Sequence, residues 1–112
     1  MIARPLGLIR VPTPGTPVPV TTDTTLFASQ ILFRTVPGAT KPTYVGVAGM
    51  NKSAAGMVGV IAALAEPTAG GAQDGQAIPS SPYQWGNSLR LADYYVDADQ
   101  ANEGVLVTYI EA

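Results

Sequence analysis

Proline placement constrains this chain more than any other feature. Pro5, Pro12, Pro14, Pro17 and Pro19 all fall within residues 1–25. Each locks its own φ, removes a backbone donor and pushes the preceding residue toward extended geometry. The stretch Val11-Pro-Thr-Pro-Gly-Thr-Pro-Val-Pro-Val20 therefore reads as an extended arm and not as a helix. With 10 prolines and 12 glycines in 112 residues, the remainder suits short strands and frequent turns. A chain of this length supports one domain with one core.

Beyond the arm, local patterns mark five strands. Residues 26–36 mix apolar and polar side chains at a period near two, and Pro37-Gly38 stops them. Residues 43–48 are rich in β-branched and aromatic side chains. Residues 57–65 are ambiguous, because their alanines permit a helix. Gly56, Gly59, Val58, Val60 and Ile61 weigh against one, Pro67 ends the segment, and it reads as a strand. Residues 66–82 form a long turn-rich loop. Residues 89–96 and 104–110 are the last two strands, and the short Asp/Asn-containing connection between them predicts an antiparallel hairpin. In the final strand Val105, Val107 and Tyr109 share one face, and Leu106, Thr108 and Ile110 share the other. Both faces are mostly apolar, so this strand is central or covered. The expectation is an all-β chain, an antiparallel β-sandwich or jelly-roll (residues 26–112) behind an extended Pro-rich N-terminal arm (residues 1–25).

Composition removes several function classes. The chain has no His and no Cys, so it has no disulfide, no His/Cys metal site and no His-assisted nucleophile. Six Lys+Arg against eight Asp+Glu, a net charge of −2, argue against binding driven by nucleic-acid phosphates. No apolar run is long enough to cross a bilayer, and the N-terminus lacks the pattern of a signal peptide. Charged residues make up 12% of the chain, about half the usual share. With 46% hydrophobic residues and a mean hydropathy of +0.20, the chain is not of disordered type. A surface this poor in charge points to coverage by something else.

Candidate chemistry is sparse. Asp93, Asp97, Asp99 and Glu103 lie close together and offer oxygen ligands to Ca²⁺, but the spacing is not that of an EF-hand loop. Turn chemistry on an exposed loop is the preferred reading. Ser29, Ser53 and Ser88 have no His to act as base, and no local pattern supports a Ser-Lys dyad. No enzyme activity and no cofactor are expected. Asn51-Lys-Ser53 matches a glycosylation sequon by chance. Tyr83 and Trp85 in the Pro/Ser loop either cap the open end of the fold, anchor a protein interface, or stack on a sugar. Within the arm, Ile2, Leu6, Leu8, Ile9, Val11, Val18 and Val20 have no evident place in a core built from 26–112. With Arg4 and Arg10 available for partner carboxylates, they mark the arm as a contact surface.

A resemblance covers most of residues 18–112. The order runs Ala28-Ser-Gln-Ile-Leu-Phe33, Lys41-Pro-Thr-Tyr-Val-Gly46, Met50-Asn-Lys-Ser53, Leu91-Ala-Asp-Tyr-Tyr-Val-Asp-Ala-Asp99 and Glu103-Gly-Val-Leu-Val-Thr-Tyr-Ile110. It resembles small virion proteins of tailed bacteriophages, of the head decoration or capsid cement type. The loop at 66–82 departs from the compact form of such proteins. The resemblance implies a β-sandwich or jelly-roll that binds the major capsid protein on the outer surface of the virion as a homo-oligomer, dimer or trimer. It implies assembly in the host cytoplasm, with no nucleic acid or membrane as partner. Another tail, neck or fibre module, including one that binds a receptor or glycan, is the alternative. A small enzyme or inhibitor domain outside virions is the third class.

Overall fold

The computed structural model describes residues 2–36, 41–64, 75–79 and 89–111. Among these the strands are β1 (Ala3–Val11), β2 (Val18–Pro19), β3 (Phe27–Thr35), β4 (Thr43–Asn51), β5 (Val58–Leu64), β6 (Gly75–Pro79), β7 (Leu89–Arg90), β8 (Tyr94–Ala98) and β9 (Glu103–Glu111). The described residues are nearly all β, in two antiparallel sheets. One has the order β1-β9-β3-β6, with β7 also on β3, and the other has the order β2-β8-β4-β5. The expected strands at 26–36, 43–48, 57–65 and 104–110 are present.

The inward side chains of both sheets form one hydrophobic cluster. Ile31, Phe33, Val105, Val107 and Tyr109 come from the first sheet, and Val45, Leu64, Val96 and Ala98 from the second. In β9 the period-two reading holds, with Val105, Val107 and Tyr109 buried and Leu106, Thr108 and Ile110 half-buried. Burying one such side chain contributes roughly 1.5–3 kcal/mol, so this cluster dominates stability.

The expected closing hairpin does not form. β8 pairs with β2 and β4, whereas β9 pairs with β1 and β3. The connection after Ala98 crosses from one sheet to the other, turning through Asn102 at φ 65°. Both edges of β8 and of β9 are already taken by strands distant in sequence, so neither is free for the other.

The N-terminal segment is not one extended arm: Ala3–Val11 is a strand of the sheet, and residues 12–16 form a turn in which the Thr16 N–H donates to the Thr13 carbonyl at 3.0 Å, with Gly15 at φ 87°. β1 runs antiparallel to β9, from Ala3 opposite Ile110 to Val11 opposite Glu103. Leu6 is the extra residue where the register shifts between Pro5 and Gly7, and it turns toward the core. Val11 and Val20 belong to the main cluster, with Leu6, Ile9, Val18 and Leu26 packed against it. The core therefore includes side chains from before residue 26. Pro5 is tolerated because β1 is an edge strand.

Gly104 fixes how closely β1 approaches. A Cβ there would lie 1.8 Å from the Ile9 carbonyl oxygen, so only glycine admits this pairing. Two smaller corrections concern the late segments. Residues 89–96 are broken by a 3-10 turn at Leu91–Asp93, and the Arg90 guanidinium binds the Asp93 carboxylate at 2.9 Å. Part of the expected loop at 66–82 is β6, antiparallel to β3 with Gln30 opposite Pro79 and Arg34 opposite Gly75. The rest of that loop, with Tyr83 and Trp85, lies outside the described residues.

Candidate assembly surface

Among the described residues two lateral edges stand out, one built on β1 and one on the β4–β5 hairpin. β5 runs beside β6, and β1 runs beside β8.

On the β1 edge, Ile2 and Leu8 are exposed. Leu6, Ile9 and Val18 are half-buried, while Val11 and Val20 are buried and take no part in a surface contact. The two arginines already have partners in the chain. The Arg4 guanidinium pairs with Glu111, and Arg10 Nη1 donates to the Asn102 carbonyl at 2.9 Å. The edge thus offers isolated apolar side chains beside one ion-paired arginine and one arginine hydrogen-bonded to a backbone carbonyl.

The second edge was not singled out by motif. Val47, Met57, Val58 and Ile61 are all exposed, between 40% and 58%. The signal for it in the sequence is the absence of any charged residue between Lys52 and Glu66. Alternation alone marks these residues as strand and does not say which face is covered.

This hairpin is bent back over its own sheet. A straight strand would separate Tyr44 and Lys52 by about 26 Å, yet the Lys52 ammonium lies 5.6 Å from the Tyr44 ring centre. The bend falls where the β4–β5 register breaks, between Gly46 and Asn51. There Met50 is buried while standing outside the main cluster, over two glycines. A Cβ on Gly59 would come within 2.9 Å of Met50 Cα, and one on Gly46 within 3.1 Å of Met50 Sδ.

A polar tie holds the bend. Lys52 Nζ binds Asp99 Oδ1 at 2.6 Å, and Tyr44 Oη donates to Asp99 Oδ2 at 2.8 Å. Burial pushes the Tyr44 phenol up, and the hydrogen bond and charge of Asp99 push it further, to about 12. For Asp99, burial raises the carboxyl, but the hydrogen bonds from Lys52 and Tyr44 and the charges of Lys52 and Lys41 outweigh it. The group lies below its ordinary value.

The four clustered carboxylates therefore go to different partners. Asp93 binds Arg90, and Asp99 binds Lys52 and Tyr44. Glu103 Oε1 accepts from the Lys41 N–H at 3.2 Å. Asp97, expected on an exposed loop, is buried at the end of β8, where its Oδ1 accepts from the N–H groups of Gly15 and Ala98. The local turn chemistry expected of this group appears instead at Asp23, whose Oδ1 accepts from the Thr25 N–H at 2.9 Å and from its hydroxyl. Thr25, Leu26, Phe27, Tyr109 and Glu111 line an open pocket of about 300 Å³ at one end of the first sheet. Its carboxylate, Glu111, is already held by Arg4.

No family model, curated protein or solved structure matches this chain.

Proposed function

We propose that the chain is a structural virion protein of capsid decoration type, and that its two sheets form a β-sandwich. It binds the outer surface of a phage head and stabilises the shell by bridging capsid subunits. The resemblance of residues 28–33, 41–46, 50–53, 91–99 and 103–110 to such proteins supports this reading. The observation that carries it is the pair of lateral edges with exposed apolar side chains, Ile2 and Leu8 on one and Val47, Met57, Val58 and Ile61 on the other. Bridging requires two contact surfaces on one rigid body, and a chain with so little charge has few other means of making them. No chemistry is needed. A protein that binds the assembled shell and not its dissociated subunits stabilises the shell by mass action, and many copies multiply the effect.

The test is co-sedimentation of the purified chain with bare heads. The expected result is saturation at a fixed ratio to the capsid subunit and a higher dissociation temperature of the shell. Binding to tails or to a glycan array, with none to heads, would replace this reading with a tail or fibre module.

A further inference from the structure

Sheet edges expose unpaired N–H and C=O groups, and soluble proteins blunt them with charge, proline, bulges or shortness. Among the described residues the outer strands are β1, β2, β5, β6 and β7, and all but β5 carry a charge or a proline. β1 has Arg4, Pro5, Arg10 and a bulge at Leu6. β2 is two residues long and includes Pro19. β6 ends on Pro79. β5 differs in having neither charge nor proline in Val-Gly-Val-Ile-Ala-Ala-Leu, and its one such device is the bulge at Ile61.

The register of β5 explains where its side chains point. Ala62 lies opposite Val45 and Val60 opposite Gly46, so Ile61 is the extra residue between them. That residue is 46% exposed at the middle of the strand, and Val58 is 58% exposed at its start. An exposed isoleucine at the centre of an uncharged edge is poorly suited to solvent.

We infer that β5 pairs with β5 of a second copy of this chain, antiparallel, across a two-fold axis near Ile61. This deepens the proposed function, on which it rests, by making the bridging body a dimer: the β5 edges join two copies, and the two β1 edges with Ile2 and Leu8 remain for the capsid. Charge selects the occupant. No charged residue lies between Lys52 and Glu66, so two identical edges meet without like-charge repulsion, although each chain carries a net charge of −2. Symmetry also favours it, because an isologous contact buries both uncharged edges at once. The strand spans about 23 Å of a molecule whose smallest extent is 22 Å. That allows on the order of 500 Å² per copy, at the low end of specific interfaces.

Sedimentation of the full chain from 1 to 200 µM, without heads, tests this. The expected result is a monomer–dimer equilibrium. Val58→Lys and Ile61→Lys should each raise its Kd at least tenfold, and Thr22→Lys, on an exposed turn elsewhere, should not. Both lysines replace exposed residues, so circular dichroism should stay unchanged. The chain has no cysteine of its own, which permits a second measurement. Ile61→Cys should form an interchain disulfide on mild oxidation, and Thr22→Cys should not. A monomer throughout, a dimer indifferent to both lysines, or an Ile61→Cys chain that stays uncrosslinked overturns the inference. So does a chain that remains monomeric but loses head binding on Val58→Lys, since a capsid partner would then occupy this edge. Head binding by a monomeric wild-type chain would sink this inference alone and leave the proposed function standing.

Discussion

Gly15 donates its backbone N–H to the buried carboxylate of Asp97 at 3.0 Å, joining positions 82 residues apart. The same oxygen accepts from the Ala98 N–H at 2.8 Å. One carboxylate thus pins the Pro-rich turn after β1 onto the end of β8. Among the described residues Asp97 Oδ2 has no hydrogen-bond partner.

Asp97→Ala should lower stability by about 2 kcal/mol, because hydrogen bonds to charged groups are the stronger ones and two donors lose their acceptor. Asp97→Asn keeps the Oδ1 acceptor and should lose less than half as much. Urea denaturation followed by fluorescence distinguishes the two. Equal losses would show that charge, and not the tether to Gly15, is what the site requires.

Gly104→Ala should cost about 3 kcal/mol or more, comparable with a severe core substitution. The clash is with the backbone at Ile9 and Arg10, which has no rotamer to escape into. β1 should be displaced first, so limited proteolysis should cut within residues 2–11 before the rest of the domain melts. Removing residues 2–16 outright should destabilise the fold in the same way, since Val11 and the Gly15 tether go with them. A truncated chain that melts at the wild-type temperature contradicts this.

Lys52→Met should loosen the β4–β5 hairpin without unfolding the protein. Asp99 is about one-third exposed, so the pair contributes roughly 0.5–1 kcal/mol, which corresponds to a two- to fivefold rise in local opening. Hydrogen exchange should accelerate by that factor over residues 47–60 and stay unchanged in β3 and β9. Added salt should act in the same direction on the wild-type chain.

Stability should fall on the alkaline side as Tyr44 ionises. Its folded-state value, about 12, stands above the ordinary 10.0, so its contribution is fully present below pH 10 and is lost as pH rises through 12. Tyr94, raised by burial and by the charge of Asp93, adds loss in the same direction. Asp99 works on the acid side. Its value is lowered, so its contribution is present above pH 3.8 and disappears as pH falls through the folded-state value. Tyr44→Phe should flatten the alkaline limb between pH 10 and 12. Thermal melts across pH 3–12 give both limbs, and an alkaline limb unchanged by Tyr44→Phe contradicts the assignment.

Strand positions were legible in the sequence because the forces that set them are local. Proline forbids helix in residues 1–25, β-branched residues favour extended backbone at 43–48, and alternation at 105–110 sorts side chains into two faces. Each cause acts within a few residues of its effect. The exposed hairpin edge was half legible, since the uncharged run after Lys52 is visible, but whether a strand covers it is not.

Pairing was not legible, and the tertiary structure alone decided it. The segments around β8 and β9 read as a hairpin because a short polar connection joins them. Yet backbone donors and acceptors are the same in every strand, so local pattern cannot say which neighbour takes an edge. Here β1 takes one edge of β9, close enough that only Gly104 fits beneath Ile9, and the last two strands separate into different sheets. The roles of Asp97 and Asp99 diverge for the same reason. Two residues apart in sequence, one is buried under a turn from the N-terminal segment and the other reaches Lys52 on a hairpin bent back to meet it. Sequence alone determined that the chain is built from short strands, while long-range competition for sheet edges determined which surfaces those strands leave uncovered.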